Sequence, residues 1–305
     1  RAFAIILFTV LFMISTYVIL SVSFNIKTTH YGPLLNQLVG RKIAVLYDGM
    51  IFIYLFTTTM VMIAGGGASL EAVNVPYWYG VSFIGLMVVL LFIWGNKGIV
   101  SMNTLIIPIL IILLMTLLLK FGHDNEGIWK FDTLHQANWT SAFTFTSLNV
   151  VPLIAILGAV GKEIKSRGEI LFATIGSGLI LGATTFIYNQ TLVQLTGDIM
   201  LYEMPLFALL KNYPYMMTVM MTILLWFAIY TTAASGMLGL VTRLKNVIPL
   251  PYWCIAALLV LIMIPLTTIG FSRLVTILYP LYGLINLYFL AALLIHPIIM
   301  KQNKV

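Results

Sequence analysis

An all-α bundle that crosses a lipid bilayer many times is the fold class this sequence predicts, on three observations. Hydrophobic residues make up 61% of the 305 positions and charged residues only 8%, against roughly a quarter charged in a soluble domain. The apolar residues fall into nine long stretches separated by short polar connectors. Each stretch is near the 20 or so residues a helix needs to cross the hydrocarbon core, and too continuously apolar for a barrel strand, which alternates over about 10 residues.

The spans are 2–26, 43–66, 78–95, 98–120, 140–161, 169–193, 214–241, 250–269 and 273–299, together one transmembrane domain over 1–305. The first and third carry no charged residue. The second carries Tyr47, Asp48, Tyr54 and Thr57 to Thr59 ahead of Gly65-Gly66-Gly67, where small side chains permit close helix contact or a local break. Asp48 lies a little inside its end, a position that suits either a coupling carboxylate or an ion-paired interfacial group. The fourth span follows the Gly95-Asn-Lys-Gly-Ile99 turn.

The fifth span has a hydroxyl-rich first half, with Thr146 and Ser147 before Leu148, Asn149, Val150 and Pro152. Proline cannot bond back to the carbonyl four residues earlier and disfavours helical geometry just before itself. The carbonyls near Leu148 and Asn149 are therefore expected to be exposed. Either the backbone unwinds there and holds a polar ligand, with Thr146 to Val150, Pro152, Tyr54 and Thr57 around it, or Pro152 only kinks the helix and shapes packing. The seventh span places Thr231, Thr232 and Ser235 within two turns; they either converge on a cation or bond back to carbonyls one turn earlier.

Two connectors resemble interfacial elements. The segment 121–138 mixes charges with Trp129, next to Trp139, and 202–212 suits an amphipathic helix lying over a cavity as a lid. Residues 31–40 have a similar interfacial character.

Charge placement orients the chain. With the first connector cytoplasmic, eleven Lys and Arg fall on the inside and five on the outside, while Glu71, Asp124, Glu126, Asp132, Asp198 and Glu203 fall outside. That is a positive-inside pattern for a multi-pass protein of the plasma membrane with a cytoplasmic C-terminus. The net charge of +7 follows from it, and no basic cluster is long enough to track nucleic-acid phosphates. On this topology Arg1 is outside and no initiator Met is present, so a preceding helix and ten spans are expected; a cleaved signal peptide is the alternative.

Cys254 stands alone, and His30, His123, His135 and His296 have no metal-ligand spacing. No paired carboxylates or Ser/His arrangement marks an intramembrane enzyme, so no catalytic residue, metal or organic cofactor is expected. The expected partners are a small solute and the bilayer, with no obligate protein partner evident.

The stretch Asn149-Val-Val-Pro-Leu-Ile-Ala-Ile-Leu-Gly-Ala-Val-Gly-Lys-Glu-Ile164, the Gly95 turn and Tyr230-Thr-Thr-Ala-Ala-Ser-Gly236 resemble the YkvI-type membrane proteins of Gram-positive bacteria. These are grouped with the amino acid/polyamine/organocation transporter superfamily. The resemblance implies a LeuT-like fold of two inverted five-helix repeats, each with a discontinuous first helix. It makes the fifth span the fold's sixth helix, whose broken middle lines the substrate site, with Gly161-Lys-Glu-Ile-Lys165 at its cytoplasmic end. The seventh span becomes the eighth helix, which sets Thr231 and Thr232 where sodium-coupled members hold a cation. Carbonyls completing that site would belong to the fold's first helix, absent from this chain.

The function implied is secondary transport of a small amino acid or related solute, coupled to sodium or protons, with a bound sodium ion as the candidate cofactor. The alternative is a ligand-binding sensor or receptor subunit with the same fold and no transport.

Overall fold

The computed structural model describes residues 2–71, 74–124, 139–193 and 213–302, and every regular element among them is helical. In chain order these are α1 (Ala2–Ile26), α2 (Tyr31–Val39), α3 (Arg41–Glu71), α4 (Tyr77–Leu91), α5 (Gly95–Asp124), α6 (Ser141–Ala159), α7 (Arg167–Val193), α8 (Tyr215–Lys245), α9 (Tyr252–Leu266), α10 (Phe271–Ile285) and α11 (Leu287–Gln302). Short 3₁₀ turns extend α4, α6 and α9. Nine helical segments among the described residues have the length and apolar composition to cross a membrane, at Ala2–Ile26, Arg41–Glu71, Tyr77–Trp94, Ser101–His123, Ser141–Ala159, Arg167–Val193, Tyr215–Lys245, Tyr252–Ile269 and Phe271–Pro297. They overlap the nine expected spans, with ends that differ by up to five residues. The 202–212 segment and most of the 121–138 connector lie outside the described residues.

Large apolar side chains face outward along these spans, among them Phe172 (83% exposed), Leu261 (66%) and Ile112 (65%). Water would not tolerate so much contiguous apolar surface, whereas acyl chains require it.

The chain forms two compact units. The first comprises Arg1–Leu55, Phe131–Phe186 and Ile277–Val305; the second comprises Phe56–Lys130 and Ile187–Thr276. The helices α3, α7 and α10 each contribute to both.

In the first unit α6 packs against α1, α2 and α11. Phe8, Phe12 and Ala142 form a buried cluster, and Phe8 meets Phe145 edge-on at 4.8 Å. The Gly178-x-x-x-Gly182 face of α7 lies on α1 so closely that a side chain at either glycine would strike Met13 or Thr9, the small-residue packing that lets membrane helices approach.

The α1–α2 corner is built around Lys27, which closes α1 in the left-handed conformation at φ 51°. Thr28 N–H bonds back to the Ser23 carbonyl at 3.2 Å, the hydrogen-bond pattern of a helix C-cap. The Thr28 carbonyl then accepts from Lys162 N–H at 3.1 Å, and Lys27 Nζ donates to the Ile164 carbonyl at 3.2 Å. Gly161 carries no side chain because the Thr28 hydroxyl occupies that space. His30 caps α2, accepting from Gly32 N–H at Nδ1, and α2 buries Tyr31, Leu34, Leu35 and Leu38. Ser166 and Glu169 cap the start of α7, with Glu169 N–H donating to Ser166 Oγ and Lys165 N–H to the Glu169 carboxylate.

In the second unit α4 packs on α8 and α9, and α5 packs on α8. The Gly65 to Gly67 run does not break α3. It is where α4 crosses α3 at backbone distance, because a Cβ on Gly80 would overlap the Gly66 carbonyl. Trp226 Nε1 donates to that same carbonyl at 3.3 Å, and Tyr77 OH donates to the Thr267 carbonyl at 2.9 Å.

Gly80→Ala should therefore destabilise the protein by about 1–3 kcal/mol, the usual cost of overpacking. Gly176→Ala, which meets nothing within 4 Å, should be neutral or slightly stabilising, as helical Gly to Ala is. Thermal unfolding of both variants in detergent checks the contrast.

Candidate functional site

The fifth span lacks the broken middle that the resemblance implies and follows the other reading of Pro152: α6 is helical throughout from Ser141 to Ala159, with Pro152 inside it. The physical reason lies in what happens to the carbonyl that Pro152 leaves unbonded. Pro152 has no N–H to offer Leu148, and the Leu148 carbonyl instead accepts from the hydroxyl of Tyr54 on α3, at 2.9 Å. A buried side chain thus replaces the missing rung, and the helix need not open. Tyr54 is 5% exposed and held edge-on by Tyr282 of α10, with ring centroids 4.7 Å apart.

The hydroxyls of α6 are used mostly within the helix. Thr146 is fully buried and donates to the Ala142 carbonyl at 2.6 Å; Thr144 donates to Ser141. Ser147, also fully buried, is the exception, since it bonds both Thr144 and the Gly283 carbonyl of α10. Asn149 is half-buried and returns its amide to the Phe145 carbonyl at 2.7 Å. Val150 is buried, and Pro152 is half-buried. Thus Tyr54, Ser147 and Leu148 come together with Tyr282 and Gly283 in the first unit, where α6 carries no ionisable side chain. Thr57 is half-buried one turn beyond Tyr54 on α3, in the part belonging to the second unit. Asp48 is half-buried near the start of α3, beside Tyr47, which packs on Tyr288 and Phe289.

The ninth span is interrupted at one residue, where no interruption was expected, although helical hydrogen bonds persist on both sides, from Asn286 N–H to the Tyr282 carbonyl and from Leu290 N–H to the Asn286 carbonyl. Regular α-helix stops at Ile285, turns at Asn286 and resumes at Leu287. Pro280 lies in the preceding turns, and the Gly283 carbonyl is engaged by Ser147. A Cβ on Gly283 would press on the Thr144 carbonyl, so α6 and α10 meet backbone to backbone there. The signal was present in the sequence as Pro280, Gly283 and Asn286 inside an apolar run. Beside this contact, Thr140, Ser141, Phe143, Thr144 and Leu287 line a hollow of about 560 Å³.

In the second unit, Thr231 and Thr232 both donate to the Ala228 carbonyl, at 3.0 and 2.8 Å. Thr231 and Ser235 are buried and share a face, whereas Thr232 is exposed, so the three do not form one cluster. Ser235 Oγ accepts from Asn103 Nδ2 of α5 at 3.0 Å. Asn103 was not singled out by the sequence reading; its signal was a lone amide inside the apolar fourth span. Among the described residues, no group of three or more His, Cys, Asp or Glu is placed to hold a metal ion.

Nine apolar spans among the described residues, lipid-type outer surfaces and polar contacts buried between helices define a polytopic α-helical membrane protein. No family model matches the sequence. Over 298 residues the chain is 46% identical to the uncharacterized protein YyaD of Bacillus subtilis (strain 168), covering 98% of this chain and 88% of YyaD; it belongs to the YyaD family. It is also 24% identical over 284 residues to the uncharacterized membrane protein YkvI of the same organism, covering 90% of this chain and 80% of YkvI.

Tyr54→Phe should cost about 1–3 kcal/mol, because it leaves the buried Leu148 carbonyl without a donor. Pro152→Ala restores an N–H to that carbonyl, so the same Tyr54→Phe change in the Pro152→Ala background should cost less. Thermal or denaturant unfolding of the four proteins as a double-mutant cycle measures the coupling.

Proposed function

We propose that the protein is a secondary active transporter of a small amino acid or related solute, coupled to sodium or protons and working by alternating access in a LeuT-like fold. The observation that carries this reading is the Tyr54 hydroxyl on the Leu148 carbonyl in the middle of an uncharged span. A carbonyl released by proline and held by one side chain is an exchangeable partner. A zwitterion entering there would satisfy both groups, its ammonium accepted by the Leu148 carbonyl and its carboxylate accepting from Tyr54 OH. No fixed charge is needed, because a backbone carbonyl and a hydroxyl supply the polar contacts.

The distant likeness to the uncharacterized membrane protein YkvI extends over most of this chain and supports the membrane-spanning part of this reading. Thr231 and Ser235 on a buried face of α8 supply the oxygen chemistry a coupling cation would use. The cytoplasmic C-terminus and plasma-membrane location belong to the same reading, carried by the positive-inside pattern.

The test is uptake of a panel of amino acids into proteoliposomes, with and without an inward sodium or proton gradient, paired with thermal unfolding. A solute that binds only the folded state stabilises it by about 2.7 kcal/mol at a hundred times its dissociation constant. Transport predicts accumulation that a cation gradient enhances, and a weaker solute response in Tyr54→Phe by about tenfold or more in affinity. Stabilisation without uptake would replace transport by a sensor role, and no response to any solute would overturn the amino-acid reading.

A further inference from the structure

The connection from α6 to α7 meets the α1–α2 corner where three membrane spans end together, at Ile26, Ala159 and Arg167. This joint gathers four basic side chains, Lys27, Lys162, Lys165 and Arg167, and two acidic ones, Glu163 and Glu169, all of them exposed. Backbone contacts bring them to one place. Lys162 N–H donates to the Thr28 carbonyl, and Lys27 Nζ, 4.0 Å from the centre of the Phe24 ring, donates to the Ile164 carbonyl. Neither contact neutralises a cation. Glu169 takes its hydrogen bond from the Lys165 backbone, and among the described residues neither carboxylate pairs with the side chains of Lys162, Lys165 or Arg167. An excess of two positive charges is therefore held at the boundary of the bilayer, where basic groups attract anionic headgroups.

Beyond Arg167 the outer surface of α7 becomes hydrocarbon. Leu171, Ile175 and Leu179 follow Arg167 at intervals of four residues, which sets them on one helix face, and all three are exposed, as is Phe172 beside them. From Arg167 to Leu179 the helix rises about 18 Å, close to the roughly 15 Å of hydrocarbon that one leaflet contributes. A charged head and an apolar strip one leaflet long are thus continuous on a single face.

We propose that this joint binds an anionic phospholipid, with its phosphate among Lys27, Lys162, Lys165 and Arg167 and an acyl chain along the Leu171 to Leu179 face of α7. The cations select an anionic headgroup over a zwitterionic one, and the apolar strip selects a lipid over a soluble anion. The inference needs only the membrane-spanning class and is independent of what the protein moves. Because Lys27 and Ile164 are 137 positions apart in the chain, the site exists only in the folded protein, so its occupant must raise stability by mass action.

The experiment is thermal unfolding of the purified full chain in neutral detergent at low salt, titrated with phosphatidylglycerol, phosphatidylcholine or glycerol 3-phosphate. Wild type should be stabilised saturably by phosphatidylglycerol, and far less by the other two at equal concentration. Added salt should weaken the response, since it screens exposed charges. Lys165→Gln with Arg167→Gln should raise the midpoint concentration by about fivefold for each cation removed, about 25-fold for the pair. Lys165→Arg with Arg167→Lys keeps the charge and should stay near wild type. So should Lys120→Gln with Arg273→Gln, which removes two exposed cations from the second unit instead.

Equal stabilisation by phosphatidylcholine would mean that the apolar strip alone takes up lipid, and equal stabilisation by glycerol 3-phosphate would mean a soluble-anion site; either result overturns the proposal. It is also overturned if the Lys120 and Arg273 pair weakens the response as much as the Lys165 and Arg167 pair, because net charge and no particular joint would then be responsible, or if phosphatidylglycerol has no effect on wild type. Should the double glutamine variant not fold, Arg167→Gln alone decides, with the fivefold shift expected of one cation.

Discussion

Inside a bilayer, a backbone carbonyl that loses its helical partner must find another donor from the protein itself, and the contact between Tyr54 and Leu148 is that rule applied to one atom. Without the tyrosine, a proline at position 152 would leave a bare acceptor in the first unit's core. With it, α6 stays helical and can serve as the element on which α1, α2 and α11 pack. The aromatic ring that delivers the hydroxyl is itself seated on Tyr282. The position of α10 beside α6, the burial of Ser147 and the turn at Asn286 are therefore parts of one arrangement around a displaced hydrogen bond.

The second unit solves a different problem. Lipid gives helices no hydrophobic reason to associate, so contact must come from close packing and shared polar groups. Glycines supply the first: Gly66 and Gly80 bring α3 and α4 to backbone distance, and Gly85 admits Val260 of α9. Side-chain donors to carbonyls supply the second, from Trp226 to Gly66, Tyr77 to Thr267 and Tyr230 to Met87. Each is an aromatic residue whose ring packs among apolar neighbours while its polar tip reaches a neighbouring helix.

How much of this was legible in the sequence depends on the distance over which the cause acts. The spans were legible because apolar length is a local property, and so was the role of Pro152 in releasing a carbonyl. Whether the helix unwinds there or only kinks was not legible, because the donor that keeps it helical lies 94 residues earlier in the chain. The turn in the ninth span was missed for the same reason, since Ser147 reaches Gly283 across 136 residues. At the seventh span the spacing of Thr231, Thr232 and Ser235 makes them helical neighbours. Which of them is buried depends on how α8 is turned toward α5 and α9, and no single-helix pattern encodes that rotation.

The corner at Lys27 fixes more than a change of direction. Its left-handed residue, the Thr28 turn and the pairing with Lys162 leave three residues, 28–30, between the capped end of α1 and the first residue of α2. One residue added there would rotate α2 by about 100° about its axis and carry Leu34, Leu35 and Leu38 out of the core. The joint is thus a part of fixed length.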